Sequence, residues 1–211
     1  MGTGVLPVVL ITVVAAATVA LVAAELRGRR RWGVAAKVIA SVAFVLLGLC
    51  RANLANPYDA WVLAALVLCL AGDVLLALPR GLAAGLVCFL VGHLAYAAGF
   101  ATLVPLAAWP WPVAAGMAVP SAAAAVWLWP HLGRMRVPVL AYILVITAMA
   151  WGALSVAGHA PWMAPVGALL FYLSDLAVAR DRFVVRRFAS RAWGLPAYYL
   201  AQVLLALTLG R

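Results

Sequence analysis

"GVLPVVLITVVAAATVALVAA", residues 4–24, carries no charged side chain over 21 positions. A bilayer core of about 30 Å is crossed by an α-helix of about 17 to 25 apolar residues, so this stretch reads as a membrane span. Similar runs recur at roughly 34–50, 59–78, 82–104, 112–129, 138–157, 162–179 and 195–210. Each is continuously apolar and rich in Ala and Leu, where a closed barrel would show alternating ten-residue segments. The expected fold is all-α: a polytopic bundle of eight transmembrane helices, with residues 1–211 forming one transmembrane domain. The whole chain is 69% hydrophobic and 9% charged, well away from soluble composition.

Charge placement orients the bundle. The basic cluster Arg27, Arg29, Arg30 and Arg31 follows the first apolar run instead of preceding it, the reverse of a cleaved signal peptide. Of the 15 Lys and Arg, only Arg51 and Arg211 fall on one side of the eight-span topology. The others fall opposite, which by the positive-inside rule makes the odd-numbered loops cytoplasmic and both termini extracytoplasmic. Trp32, Trp127, Trp129 and Trp193 mark the inner interface, and Trp61, Trp109, Trp111 and Trp162 the outer one. The net charge of +10 is spread over short juxtamembrane loops, so anionic lipid headgroups at the cytoplasmic arginines are the expected counterpart and a nucleic-acid partner is not. The expected location is the cell membrane, as a multi-pass protein.

Cys50, Cys69 and Cys88 lie in or at the ends of spans without ligand spacing and read as small apolar fillers. Pro57, Pro79, Pro105, Pro110, Pro130, Pro138, Pro161 and Pro196 punctuate span ends, and Pro120 alone falls well inside a span. An offset of 102 residues matches Asp73 to Asp175, Arg80 to Arg182, Gly92 to Gly194 and Tyr96 to Tyr198. It maps spans 3 and 4 onto spans 7 and 8 in the same orientation, as a duplicated four-helix half would.

Two of the five acidic residues lie inside spans: Asp73 and Asp175. Both fall near the cytoplasmic boundary, at depths of roughly 7 Å and 6 Å counted at 1.5 Å per residue. Lys37, the single lysine, sits about one turn into span 2 at nearly the same depth, and Tyr198, Tyr199 and Gln202 open span 8. Burying such groups singly costs several kcal/mol each, so they are expected to face inward, pair and line a cavity. One lysine offsets one carboxylate, leaving the other to hold a proton, which is the arrangement for one base and one acid. His93, near the middle of span 4, reads first as a packing residue and second, with Tyr96, as a pocket donor. The three histidines stand at different depths, which disfavours a metal site; no metal or other cofactor is expected. No GxSxG, P-loop, GxGxxG or HExxH occurs.

The "CLAGDVLLALP" of residues 69–79, "GHLAYAAGF" of 92–100, "FYLSDLAVARDRF" of 171–183 and "LPAYYLAQVLLAL" of 195–207 resemble the motifs of the YhhN family of eight-span membrane proteins, which includes the lysoplasmalogenases. The resemblance runs from about residue 34 to the end, with Val38 where the family often has proline after the span-2 lysine. It implies metal-free hydrolysis of the vinyl-ether bond of lysoplasmalogens to a fatty aldehyde and a glycerophospho-base. Asp73 and Asp175 would then share the acid and anion roles, with the order left open. Lys37 would hold one carboxylate ionised or meet the lipid phosphate, and Tyr198, Tyr199 and Gln202 would position water or headgroup, with His93 and Tyr96 behind them. The expected partner is a lysophospholipid already in the bilayer. The alternative from another class is a proton-coupled transporter using the paired aspartates.

Overall fold

A computed structural model describes residues 4–210, so Arg211 lies outside the described residues. Eight helices follow in order: α1 (Val5–Leu26), α2 (Arg30–Arg51), α3 (Pro57–Ala77), α4 (Leu82–Leu103), α5 (Trp111–Leu128), α6 (Arg136–Ser155), α7 (Met163–Ala179) and α8 (Phe188–Leu207). Short 3₁₀ turns and one π-helical turn, Arg180–Val184, complete the described chain, which contains no strand. Among the described residues, seven helices are long and apolar enough to cross a membrane. The chain is therefore a multi-pass membrane protein, and helices are what such a chain must form, because lipid offers the backbone no hydrogen-bond partner.

The exception is α8. It has 20 residues but carries Arg191, Pro196, Tyr198, Tyr199 and Gln202, too much polarity for a lipid-facing span. It also begins at Phe188, seven positions before the expected start at 195, so Pro196 sits inside the helix instead of at its end. The reason is packing. Gly194, Tyr198, Tyr199, Ala201 and Gln202 are buried against neighbouring helices, and tertiary contact carries a helix through residues that hydropathy rejects. Other boundaries fall within four residues of expectation, and Asn56 with Pro57 starts α3 as a side-chain cap and an N1 proline.

Small residues bring the helices together, as expected where lipid competes with any apolar contact. A Cβ on Gly72 would stand 2.8 Å from the Phe89 ring, and one on Gly194 would stand 2.5 Å from the Ala177 Cβ. The tight turn between α3 and α4 depends on Gly81, where a Cβ would lie 1.8 Å from the Leu75 carbonyl oxygen. That atom is backbone and cannot rotate away. Gly81→Ala should accordingly lower stability by a few kcal/mol, read as a fall in the thermal unfolding midpoint in detergent, whereas Gly116→Ala, with open space around it, should not.

α2 packs on α3 and α8, and α6 packs on α7 and α4, so the central helices are each braced from both halves of the chain. The α3–α4 and α7–α8 pairs meet in similar ways. Gly85 approaches the Gly72 carbonyl as Gly194 approaches that of Ser174, and Gly92 meets Ala65 as Ala201 meets Gly167. The 102-residue offset thus holds between α3 and α7 but becomes 109 between α4 and α8. By these contacts Tyr198 corresponds to Phe89, not to Tyr96, which corrects the sequence match of the two tyrosines.

The basic loops converge at one end. Arg191 of α8 bonds Glu25 at the end of α1 and Asp181 in the π-helical turn, while the Arg30 Nη2 donates to the Ala77 carbonyl at 3.3 Å. At the other end, Arg51 bonds the Leu207 carbonyl at 3.1 Å, and buried Asp59 accepts from the Asn53 and Gly210 amides.

Candidate active site

A cavity of about 610 Å³ opens at the basic end and runs into the bundle between α1, α2, α3, α4, α6, α7 and α8. Its size suits a drug-sized or lysolipid-sized ligand. Lys37, Asp73, Tyr142, Asp175 and Tyr198 all line it, so the two intramembrane carboxylates share one space.

Their surroundings differ. Asp73, 1% exposed, accepts three short hydrogen bonds: Lys37 Nζ to Oδ1 at 2.7 Å, and the Ser41 and Tyr198 hydroxyls to Oδ2, each at 2.7 Å. An ammonium and two hydroxyls donating to one carboxyl group form a donor environment that suits an acceptor-only carboxylate. Lys37 and Ser41 are four residues apart and so share one face of α2, and the Ser41 hydroxyl also lies 2.9 Å from the Lys37 carbonyl.

Asp175 has no cation of the Lys or Arg type on it among the described residues. The Tyr142 hydroxyl of α6 donates to its Oδ2 at 2.8 Å, and His93 Nε2 stands 3.3 Å from the same oxygen. The other ring nitrogen, Nδ1, lies 2.5 Å from the Phe89 carbonyl oxygen. A carbonyl can only accept, so Nδ1 carries a hydrogen, and one proton shared between Nε2 and Asp175 Oδ2 would satisfy both of those atoms. The imidazole is wedged between Phe171 and Tyr142, with ring centroids at 4.4 Å and 5.4 Å, and is fully buried.

The remaining expected site residues stand behind this shell. Tyr199 lies 3.3 Å from both the Ser41 hydroxyl and the Lys37 carbonyl, bracing α2 from below the cavity wall. Tyr96 donates to Gln202 Oε1 at 2.7 Å, and both side chains are fully buried away from the cavity. Gln202 Nε2 has no partner among the described residues. His93 does not itself line the cavity and stands behind Asp175, Tyr142 and Phe89, which do. Two residues not singled out in the sequence complete the site: Ser41 and Tyr142. A census of hydroxyls at the depth of the aspartates would have found both.

The family model described as YhhN family matches residues 32–209. The chain belongs to the YhhN family. Among curated relatives, this YhhN protein is 33% identical to mouse lysoplasmalogenase TMEM86B over 154 residues, covering 70% of this chain and 63% of the mouse protein. It is 33% identical to human lysoplasmalogenase TMEM86B over 153 residues, covering 68% of this chain and 61% of that protein. The rat protein of the same name is 32% identical, with 61% of its length matched. The chain thus spans somewhat under two thirds of the curated relatives it matches. No solved structure matches it.

Proposed function

We propose that this YhhN protein is a membrane-embedded hydrolase that cleaves the vinyl-ether bond of a lysoplasmalogen, or of a closely related single-chain enol ether, to a fatty aldehyde and a glycerophospho-base. All eight helices span the bilayer in this reading, with the basic end cytoplasmic and both termini outside. The observation that carries the chemistry is the contrast between two carboxylates in one cavity: Asp73 held by Lys37 and two hydroxyls, and Asp175 with no Lys or Arg on it and the buried His93 Nε2 at 3.3 Å from its Oδ2.

The chemistry follows from that contrast. A bare Nε2 beside an ionised Asp175 would set two lone pairs against each other in a buried site. A proton between them, on the carboxyl oxygen or on the imidazole, removes the conflict. Asp175, with His93 behind it, is thus the acid. It protonates the vinyl carbon beta to the ether oxygen, and the alpha carbon becomes an oxocarbenium centre. Asp73 stays anionic, stabilises that cation and takes a proton from the attacking water. The resulting hemiacetal collapses by breaking the bond between the former alpha carbon and the glycerol oxygen, which takes the proton held by Asp73 and leaves as an alcohol, while the hemiacetal hydroxyl returns a proton to Asp175. One water is consumed, and no electron is transferred to or from a cofactor.

Incubating purified protein with a lysoplasmalogen in D₂O tests the sequence of events. Fatty aldehyde should appear carrying one deuterium on the carbon next to the carbonyl, because that carbon receives the acid's proton. Aldehyde without deuterium would exclude carbon protonation, and no aldehyde from folded protein would overturn the hydrolase.

A further inference from the structure

We propose that the mouth of the cavity is a headgroup subsite for a phosphate ester bearing a primary ammonium, with Arg182 and Arg186 taking the phosphate and Asp181 the ammonium. The proposal deepens the hydrolase reading and rests on it for the identity of the lipid.

Several charges at the basic end are already engaged. Arg191 is bound to Glu25 and Asp181, Arg180 donates to the Ser190 hydroxyl at 3.0 Å, and Arg30 donates to the Ala77 carbonyl. Arg182 and Arg186 line the cavity, are exposed, and have no acceptor among the described residues. Two free guanidinium forks at one opening match a phosphate, which accepts bidentate N–H pairs. Asp181 supplies the opposite need. Arg191 occupies its Oδ2 through Nε at 3.2 Å and Nη2 at 3.0 Å, while Oδ1 is buried without a partner on a side chain only 10% exposed. A buried carboxylate oxygen without a donor is costly, and an N–H-bearing cation relieves it. A quaternary ammonium has no N–H and cannot.

Geometry agrees. Residues 181–186 curl around a hollow of about 230 Å³ that adjoins the main cavity, and Asp181, Arg182 and Arg186 line both. Asp175 and Arg182, a phosphate ligand in this proposal, are seven residues apart on a nearly continuous helix, about 10 Å along its axis. A glycerol and one phosphoester bond separate a lysolipid's ether carbon from its phosphorus, a comparable reach. With the headgroup in the hollow, the ether bond falls at the carboxylate pair.

Binding of uncleavable 1-O-alkyl lipids to the full chain in detergent tests the subsite without relying on turnover. The probes are the 1-O-alkyl glycerophosphoethanolamine, the corresponding phosphocholine, and the phosphate-free 1-O-alkylglycerol. The expected order of affinity is phosphoethanolamine, then phosphocholine, then alkylglycerol, with about tenfold or more between first and last, the scale of charge-assisted hydrogen bonds. The double variant Arg182→Gln/Arg186→Gln should bring the two phospholipids down to the alkylglycerol value while leaving alkylglycerol binding unchanged, which also reports that it is folded. Asp181→Asn should abolish the preference for ethanolamine over choline. Equal binding of all three probes by the wild type, or an undiminished phosphate preference in the double variant, overturns the proposal. Equal binding of the two phospholipids overturns the role of Asp181. Selective binding without aldehyde release would sink the hydrolase and keep the subsite, and aldehyde release without selectivity would do the reverse.

Discussion

Asp175→Asn should lower turnover of a lysoplasmalogen by about 10²- to 10⁴-fold, the usual contribution of a positioned general acid, with little change in KM. The substitution is mild in structure. Asparagine keeps an oxygen for the Tyr142 hydroxyl, which donates at 2.8 Å, and the position is only partly buried. What it removes is the group that can hold and release a proton opposite His93 Nε2. Aldehyde release measured under saturating substrate, beside the thermal unfolding midpoint, separates this loss from misfolding. A variant that unfolds normally and retains full kcat would remove Asp175 from the chemistry. His93→Gln provides the companion measurement: acting through Asp175, it should reduce kcat less and shift the pH profile, an effect that lost packing alone would not produce.

The sequence was most informative about depth. Counting residues from a span end places Lys37, Asp73, Asp175 and Tyr198 in one layer because the rise per residue is fixed, and all four line the cavity. Depth says nothing of azimuth, which is why Tyr199, Tyr96 and Gln202, read into the same pocket, turn out to face other helices. An apolar chain offers little contrast between faces, since lipid and core favour the same side chains. Periodicity, the usual guide to facing, is weak in all the membrane helices but α2 and α8.

The rest of the site was hidden for related reasons. Ser41 and Tyr142 carry no charge and cost little to bury once bonded, so neither stands out in an apolar span. The start of α8 was hidden because Arg191, Trp193 and Pro196 break the hydropathy run that contact with α7 and α2 restores. The repeat was legible in the aspartates and misplaced in the tyrosines. Small residues recur often enough in α4 and α8 to support either register, and only the glycine contacts select between them.

The second large effect separates stability from activity at the other carboxylate. Asp73→Asn should cut turnover by about 10²- to 10³-fold through loss of the fixed anion. It should also destabilise the fold by about 3–5 kcal/mol, because Lys37 Nζ loses the partner 2.7 Å away while its side chain remains four-fifths buried. Lys37→Met should produce the same pair of losses by the opposite route, leaving a carboxylate that is 1% exposed with hydroxyl donors alone and favouring its protonated, inactive form. The double variant Lys37→Met/Asp73→Asn removes both charges together. Its thermal midpoint should recover most of the way to wild type, since no uncompensated charge remains, while its turnover should stay as low as that of either single variant. If turnover recovered along with stability, the pair would be interhelical glue and the anion opposite Asp175 would have to come from elsewhere. If neither recovered, the Ser41 and Tyr198 hydroxyls, deprived of a charged acceptor, would be the groups on which this corner of the bundle depends.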